Sequence, residues 1–182
     1  DLVRVLGIRN QLQQRLWPHV KIKTGSRILD VGCGTGDDLI YLATHYSKLK
    51  LFGVDGDPKV LSIAKNKAQK SDLKINFQVS LAEKLPFAAN YFDVVWSSLM
   101  VHHLPTKYKQ MALSEMRRVL KSGGRLYLID FGRVNWWLRI VYWLQTRLEP
   151  VGDHFAGKLP EYIRKAGLQQ LKETKLLFHV SL

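Results

Sequence analysis

The sequence contains a single cysteine, Cys33, and no long hydrophobic run. One cysteine cannot form an internal disulfide, and its place between two glycines favours packing in a tight turn over metal binding or nucleophilic attack. We therefore expect no metal site and a reducing, cytoplasmic environment. The longest strongly apolar stretch, residues 134–144, falls short of the roughly 20 residues that span a bilayer, and the opening residues lack the pattern of a signal peptide.

Acidic residues are few relative to basic ones. The chain has 28 Lys and Arg against 15 Asp and Glu, which gives a formal net charge of +13. This excess favours anionic partners such as nucleic acid or a lipid surface, although a basic protein without a specific anionic partner fits it equally well.

Linkers rich in glycine, proline or serine are also absent. With 182 residues and 46% hydrophobic content, the chain suits one globular domain over residues 1–182. Residues 1–21 are predicted to form a leading helix that ends at the segment LWPHV.

The chain does contain short apolar segments that alternate with helix-like segments. The predicted buried strands are residues 26–32, 50–55, 74–80, 92–98 and 124–131. The predicted helices between them are residues 37–46, 58–70 and 107–120. This order predicts an α/β fold in which right-handed crossovers place helices against a mostly parallel sheet.

The segment ILDVGCGTGDD, residues 28–38, places three glycines two apart directly after a predicted strand. Glycines at such a turn let a ligand approach closely, and the helix that follows offers unpaired N–H groups. The motif lacks the Gly-Lys-Ser/Thr ending of a P-loop, and Asp37 would be poorly placed beside a pyrophosphate. Asp55 ends the second strand 19 residues beyond Gly36, where a carboxylate can accept hydrogen bonds from ribose hydroxyls. The pattern predicts a ligand with ribose and without phosphates.

Four segments in order resemble the successive motifs of class I S-adenosylmethionine-dependent methyltransferases: ILDVGCGTGDD, LFGVDGDP, AEKLPFAANYFDVVWSSLMVHHLP and MRRVLKSGGRLYLIDFGR. They are most similar to the methyltransferase type 11 group, which includes the ubiquinone and menaquinone biosynthesis C-methyltransferases. The resemblance runs from about residue 4 to residue 168. It implies a Rossmann-like, doubly wound, mostly parallel sheet of about seven strands with helices on both faces. It also implies S-adenosylmethionine as the cofactor, with S-adenosylhomocysteine as its product. Residues 153–168 resemble the last helix of the family. Too few residues follow for two strands, so we expect the seventh strand to be short or cut off.

The resemblance also implies a set of cofactor-binding residues: Asp30, Gly32, Cys33 and Gly34 at the methionine part, Asp55 and Gly56 at the ribose, and Leu81, Ala82 and Ser97 around the rest. The family often has an aspartate for the adenine amino group where this chain has Leu81. Backbone groups of Leu81 and Ala82 can still read the base edge while the Leu81 side chain packs on the ring. The exchange would lose about one charge-assisted hydrogen bond, roughly 1.5 to 3 kcal/mol.

The loop SSLMVHHLP follows the fourth predicted strand and holds the candidates for proton transfer. A sulfonium already activates the methyl group, so alignment of the acceptor and a dry site supply much of the rate, and only a protonated acceptor needs a base. Among Ser97, Ser98, His102 and His103, a histidine best suits removal of a proton from a phenol, enol or amine. The alternative is that the histidines bond to the backbone and fix the loop.

The same loop lacks the Pro-Pro-aromatic sequence of enzymes that methylate the exocyclic amines of bases, and no cysteine is placed for pyrimidine C5 methylation. We therefore expect a small, hydrophobic acceptor, quinone-, phenol- or lipid-like, methylated by in-line displacement. Nucleic acid is the less favoured partner. Methylation of RNA ribose or guanine stays open, as does a protein that binds the cofactor without transferring its methyl group.

Residues 133–150 follow the fifth predicted strand, where related enzymes place a variable element over the acceptor pocket. Aromatic residues alternate here with arginines: Trp136, Trp137, Tyr142 and Trp143 with Arg133, Arg139 and Arg147. One interpretation is a lid that admits a hydrophobic acceptor and brings arginines to lipid phosphates, with peripheral association at a membrane surface. The other is a helix packed on the sheet or in a homodimer contact.

Overall fold

The computed structural model describes residues 16–131, 158–168 and 180–181, and its helices and strands alternate as the hydrophobic pattern predicts. The strands are β1 (Arg27–Val31), β2 (Lys50–Asp55), β3 (Ile75–Val79), β4 (Phe92–Ser98), β5 (Leu120–Phe131) and β6 (Val180–Ser181). The helices are α1 (Asp37–His45), α2 (Pro58–Lys70), α3 (Thr106–Val119) and α4 (Leu159–Lys165). Short 3-10 helices span Trp17–His19 and Val101–His103. The predicted lid at residues 133–150 and most of the predicted leading helix at residues 1–21 lie outside the described residues.

The strands form one sheet in the order β3-β2-β1-β4-β5-β6. The first five are parallel, and β6 pairs antiparallel with β5. The predicted fold class is confirmed, and the described residues supply six strands of the seven or so expected. In the sheet, β2 and β3 lie on one side of β1, and β4 and β5 lie on the other side. The strand order therefore reverses at β1, and the carboxyl ends of β1, β2 and β4 flank this point. Ligands bind at this place in open α/β sheets.

The hydrophobic core has two parts because side chains alternate across a strand. In β1, Leu29 and Val31 join one buried cluster together with Leu113 of α3. Ile28 points to the opposite face and joins the other cluster with Leu39 of α1. Helices therefore cover both faces of the sheet, which confirms the doubly wound arrangement.

The start of β5 differs from the sequence prediction of residues 124–131. The strand begins at Leu120, directly after α3, and the register with β4 shifts by a bulge between the pairs Phe92–Leu120 and Val94–Arg125. Gly123 has a φ of 73°, and a Cβ on Gly124 would lie 3.0 Å from the carbonyl oxygen of Asp93. Gly123 and Gly124, which lie where the sequence prediction separates helix 107–120 from strand 124–131, let an irregular strand pass close to β4.

Helix α2 begins where the sequence signals place it. The Asp57 carboxylate accepts a hydrogen bond of 2.8 Å from the amide of Lys59, and Pro58 occupies the first turn. Within the described ranges, none of the helices combines the length and the apolar character needed to cross a membrane.

Candidate cofactor and acceptor site

The glycine loop between β1 and α1 takes backbone conformations that favour glycine. Gly32, Gly34 and Gly36 have φ values of 75°, 54° and 74°. A Cβ on Gly36 would lie 2.9 Å from Cζ of Phe77, so this glycine lets α1 pack closely on the sheet. A Cβ on Gly34 would meet nothing within 4 Å. The backbone at Gly34 therefore faces open space, where a ligand can approach it.

Gly32 lies against the side chain of Met100. A Cβ there would lie 2.2 Å from Cγ of Met100, which belongs to the loop after β4. The missing side chain of Gly32 thus makes room for Met100. This contact brings the glycine loop and the predicted acceptor loop together.

Asp55 at the end of β2 joins the glycine loop to the next turn. Its Oδ2 accepts a hydrogen bond of 2.9 Å from the amide of Gly34, and its Oδ1 accepts one of 2.9 Å from the amide of Asp57. Each oxygen of an ionised carboxylate has room for a further donor. Asp55 is half-buried and Gly56 beside it is exposed, so the structure brings the predicted ribose acid and the predicted methionine cradle into direct contact.

Three of the other predicted residues lie below this surface. Asp30 and Ser97 are buried at the carboxyl ends of β1 and β4, and Cys33 is only 1% exposed. The Ser97 hydroxyl donates a hydrogen bond of 2.9 Å to the carbonyl of Val31. The Cys33 side chain packs in a core cluster with Leu39. A ligand over the loop would therefore meet the backbone of Cys33 and not its thiol.

Leu81 and Ala82 begin the segment that follows β3. The amide of Ser80 donates a hydrogen bond of 3.0 Å to the carbonyl of Asp55, which holds this segment beside the end of β2. The Leu81 side chain is 57% exposed, and its Cδ2 lies 3.3 Å from the position of a Cβ on Gly56. An exposed apolar side chain thus stands next to the predicted ribose site, with the half-buried Ala82 behind it.

Glu115 and Arg118 of α3 hold residues 85–87 of the segment that follows β3. The sequence analysis did not identify either residue. Glu115 accepts hydrogen bonds from the amide of Leu85 at 2.8 Å and from Arg118 at 2.6 and 2.8 Å. Arg118 donates to the carbonyls of Phe87 and Leu85 at 2.8 and 3.0 Å. The hydrogen bonds from Arg118 lower the pKa of Glu115, and the same pairing raises the pKa of Arg118. The pair is separated from Leu85 by 30 residues, and no local pattern indicates the contact.

Lys67 of α2 is a second contact that the sequence did not indicate. Its ammonium pairs with Oδ1 of Asp37 and lies 3.3 Å from the hydroxyl of Thr35, which itself donates to Oδ2 of Asp37 at 2.8 Å. The charge of Asp37, which opens α1 beside the glycine loop, is therefore balanced by a neighbouring helix.

His102 and His103 lie in the short helix after β4, and the structure separates them by environment. His102 is 6% exposed, whereas His103 is exposed. Their rings are 3.9 Å apart between centroids. The buried Asp130 at the end of β5 accepts from the backbone amide of His102 at 3.0 Å and contacts its Nδ1 at 2.7 Å.

The contact with Asp130 determines what the His102 ring can do. An ionised carboxylate only accepts hydrogen bonds, so Nδ1 carries the proton and donates a hydrogen bond to Asp130. In the neutral imidazole this leaves Nε2 as the atom that accepts a proton. Asp130 was missed in the sequence analysis, although a carboxylate that ends a strand was the signal that identified Asp55.

Leu99, which precedes this helix, has an unusual backbone. Its φ is 53°, a left-handed conformation that is rare for a large side chain. Its amide donates a hydrogen bond of 2.7 Å to the carbonyl of Ile129. Strained residues of this kind cluster at functional sites, and this one turns the chain so that Met100 covers Gly32 and His102 faces Asp130.

Comparison with known proteins agrees with this geometry. The chain is 34% identical over 123 residues to the 27-O-demethylrifamycin SV methyltransferase of Amycolatopsis mediterranei, which covers 66% of this chain and 44% of that enzyme. It is 32% identical over 126 residues to the ubiquinone/menaquinone biosynthesis C-methyltransferase UbiE of Chromobacterium violaceum, over 66% of this chain and 51% of that enzyme. The chain thus spans about half the length of these curated relatives.

The fold has solved counterparts. The crystal structure of a SAM-dependent methyltransferase from Aquifex aeolicus superimposes with a TM-score of 0.76 at 21% identity, over 98% of this chain and 93% of that one. The methyltransferase domain family matches residues 28–124, more than half of the chain. These findings confirm the predicted family and, at the level of the family, its cofactor. The chain belongs to the methyltransferase domain family.

Proposed function

We propose that this protein binds S-adenosylmethionine at the carboxyl ends of β1 and β2 and transfers its methyl group to a small, hydrophobic acceptor. The observation that carries the proposal is the hydrogen bond between Asp55 and the amide of Gly34. It joins an acid with spare acceptor capacity to a glycine whose open side admits a ligand. A nucleoside without phosphates fits this pair, since no basic side chain is part of the contact.

In this proposal each part of the cofactor has its own residues. The backbone of Gly32, Cys33 and Gly34 and the buried Asp30 hold the methionine part, and Ser97 supports β1 from β4. Asp55 and Gly56 bind the ribose. Exposure supports the assignment, because Asp55 and Gly34 are half-buried with open space beside Gly34, whereas the Cys33 thiol is buried.

Adenine lies against Leu81 in this arrangement. The exposed Leu81 side chain next to Gly56 offers an apolar surface for the ring, and the backbone of Leu81 and Ala82 offers groups for the base edge. The family aspartate that would bind the amino group is replaced, so the protein relies on packing at this point.

We assign the base to His102. When bound, S-adenosylmethionine supplies a methyl group already activated on a sulfonium. Asp130 keeps the proton on Nδ1 of His102 and fixes the ring, so that Nε2 takes a proton from an acceptor such as a phenol or enol. Asp130 acts through His102 and is a positioning residue. The exposed His103 lies against the His102 ring and stays the second candidate.

The acceptor class follows from chemistry and from the relatives. Asp55 and Asp57 lie beside the proposed cofactor site, and their negative charges disfavour an anionic acceptor there. One curated relative acts in ubiquinone and menaquinone biosynthesis, and another is named for a demethylrifamycin. These observations support a quinone- or phenol-like acceptor.

Calorimetric titration with S-adenosylmethionine, S-adenosylhomocysteine and NAD tests the binding step. We expect binding of the two adenosyl ligands and none of NAD. Binding of NAD, or of no ligand, would contradict the proposal. Quinols, phenols and lipids are then screened with labelled cofactor, and cofactor binding without turnover of any of them would favour a binding protein over a transferase.

Once an acceptor is known, the histidines can be compared as matched variants. His102→Ala is expected to lower kcat by about 10² to 10⁴, the usual range for loss of an acid-base group. His103→Ala should change kcat much less. The reverse order would move the assignment to His103.

A further inference from the structure

We propose that the edge of the sheet opposite the cofactor site docks on the surface of an anionic lipid bilayer. This basic edge consists of the loops at the amino ends of β1 to β5 together with the ends of the strands and helices that adjoin them, and its exposed lysines are Lys21, Lys23, Lys48, Lys50, Lys70 and Lys74. Docking requires no methyl transfer, so the proposal goes beyond the proposed function and can fail independently of it.

The strand register sets part of the basic edge in a straight row. Arg27 of β1 pairs with Lys50 of β2, and Leu51 pairs with Ile75 of β3, so Lys74 continues the row next to Lys50. Neighbouring strands are about 4.8 Å apart, and residues paired in this way project to the same side. Like charges at this spacing repel each other, and a surface that carries many negative charges relieves the repulsion.

Acidic side chains do little to cancel this charge. In the described loops of the basic edge the acids are Asp72 and Asp93. Asp93 is already engaged, since Lys121 lies 2.6 Å from its Oδ1 and the Arg27 amide donates to its Oδ2 at 2.8 Å. Burial alone would raise the pKa of Asp93, but these two hydrogen bonds lower it. The negative charge of Asp93 is therefore compensated within the protein.

The two ends of the sheet differ in charge. At the cofactor edge Asp55, Asp57 and Glu83 offset the exposed Lys59 and Lys107, whereas Asp37 is paired with Lys67 and Asp38 is buried. The six residues of β2 separate the edges by about 20 Å at roughly 3.3 Å per residue. A polyanion is attracted to the end away from the reaction, so the basic edge suits attachment and not the presentation of a polyanionic substrate.

The side chains of the basic edge favour a lipid surface over nucleic acid. The lysines act as point charges and lack the forked geometry with which arginine binds phosphates and bases. The arginine of the row, Arg27, is half-buried, and its guanidinium carbon lies 4.5 Å from the centroid of the Tyr91 ring. The exposed large apolar side chains of the described chain, Ile63, Val79, Leu81, Tyr108 and Met111, lie outside these loops. Proteins that bind single strands use exposed aromatic residues as stacking platforms. A row of lysines without such residues fits the spread charge of anionic head groups, with about equal contributions from each lysine.

The test measures co-sedimentation of the full chain with vesicles. Vesicles of phosphatidylcholine alone are compared with vesicles that contain about a third phosphatidylglycerol, at about 50 and 500 mM NaCl, which change the screening length several-fold. We expect binding only to the anionic vesicles, and only at low salt. Equal binding to both vesicle types, or no binding to either, would overturn the proposal.

Matched double variants locate the surface. Lys50→Gln with Lys74→Gln removes two charges from the basic edge and is expected to weaken partitioning about 10- to 30-fold. Lys59→Gln with Lys107→Gln removes two exposed charges from the cofactor edge and should leave partitioning within about twofold. Melting temperature and S-adenosylmethionine affinity are measured for each variant to confirm the fold. Equal losses in both pairs, or none in the first, would contradict the assignment.

A competition experiment separates the two classes of polyanion. A short RNA duplex is added at the phosphate concentration of the anionic vesicles. If the basic edge is a lipid-docking surface, the RNA displaces little protein. If RNA displaces most of it, and the Lys50/Lys74 double variant abolishes RNA binding, the partner is nucleic acid and the lipid proposal is wrong.

Discussion

Replacing Glu115 with alanine is expected to destabilise the protein and weaken cofactor binding together. The carboxylate accepts from the Leu85 amide and from Arg118, and Arg118 in turn holds the carbonyls of Leu85 and Phe87. Alanine leaves the Leu85 amide and the guanidinium without this acceptor. The segment from Leu81 to Phe87 then loses its hydrogen bond to Glu115, and Arg118, which holds the carbonyls of Leu85 and Phe87, loses the group that orients it.

The magnitude follows from the exposure of the pair. A hydrogen bond to a charged group contributes about 1.5 to 3 kcal/mol. The Arg118 side chain is 37% exposed, so water replaces part of the hydrogen bonding that its guanidinium loses. We therefore estimate the net loss as about one hydrogen bond to a charged group. A loss of about 2 kcal/mol lowers the melting temperature of a chain of this size by about 4–8 °C.

The assay is thermal unfolding followed by circular dichroism at neutral pH. Glu161→Ala is the matched control, because Glu161 pairs with Lys165 within α4 and both side chains are well exposed. The control should melt close to the wild type. If Glu115→Ala melts within about 1 °C of the control, the segment is held by packing and the reasoning is wrong. Calorimetry should also show weaker binding of S-adenosylmethionine by Glu115→Ala, since Leu81 and Ala82 belong to the released segment.

Four further outcomes are expected. Asp55→Ala should weaken S-adenosylmethionine binding at least about tenfold by calorimetry, which corresponds to one lost charge-assisted bond, and an unchanged affinity would refute the ribose assignment. Asp130→Asn should lower kcat by about 10² or more with little change in KM, because the amide can hold the wrong tautomer of His102, and an unchanged kcat would limit the contact to a structural role. Gly36→Ala should cost about 1–3 kcal/mol in denaturant unfolding, since the new Cβ would clash with Phe77, and stability equal to the wild type would contradict the close packing. In acid, the stability difference between wild type and Glu115→Ala should shrink: the folded pKa lies below the usual value of 4.5, so the contribution is full above that value and is lost as pH falls through the folded pKa.

Local patterns predicted most of the architecture. Five strands and three helices lie within a few residues of their predicted bounds, because apolar runs and helix-start signals such as Asp57 and Pro58 act over short distances. The start of β5 was the exception. The prediction left residues 121–123 outside both elements, but the freedom of φ at Gly123 also allows a bulge within a longer strand, and only the pairing with β4 decides between the two.

The candidate site divides in the same way. The glycine loop and Asp55 could be found because their spacing reflects one β-α-β unit. Lys67 and Glu115 could not, since each meets its partner 30 to 32 residues away through the packing of separate elements. Asp130 did carry a signal, as a carboxylate near the end of a strand, but its contact with His102, 28 residues away, depends on the same kind of packing. The different surroundings of His102 and His103 also follow from packing, because neighbouring residues in a short helix face different directions.

The sequence by itself determined the order of strands and helices, the glycine loop and the net positive charge, since each of these depends on neighbouring residues or on a sum over the chain. Only the tertiary structure decided which groups meet and where the charge lies. A parallel sheet collects the amino ends of its strands at one edge and the carboxyl ends at the other. Lysines scattered through separate loops therefore form one basic edge, and Asp55 comes within hydrogen-bonding distance of Gly34 at the opposite one.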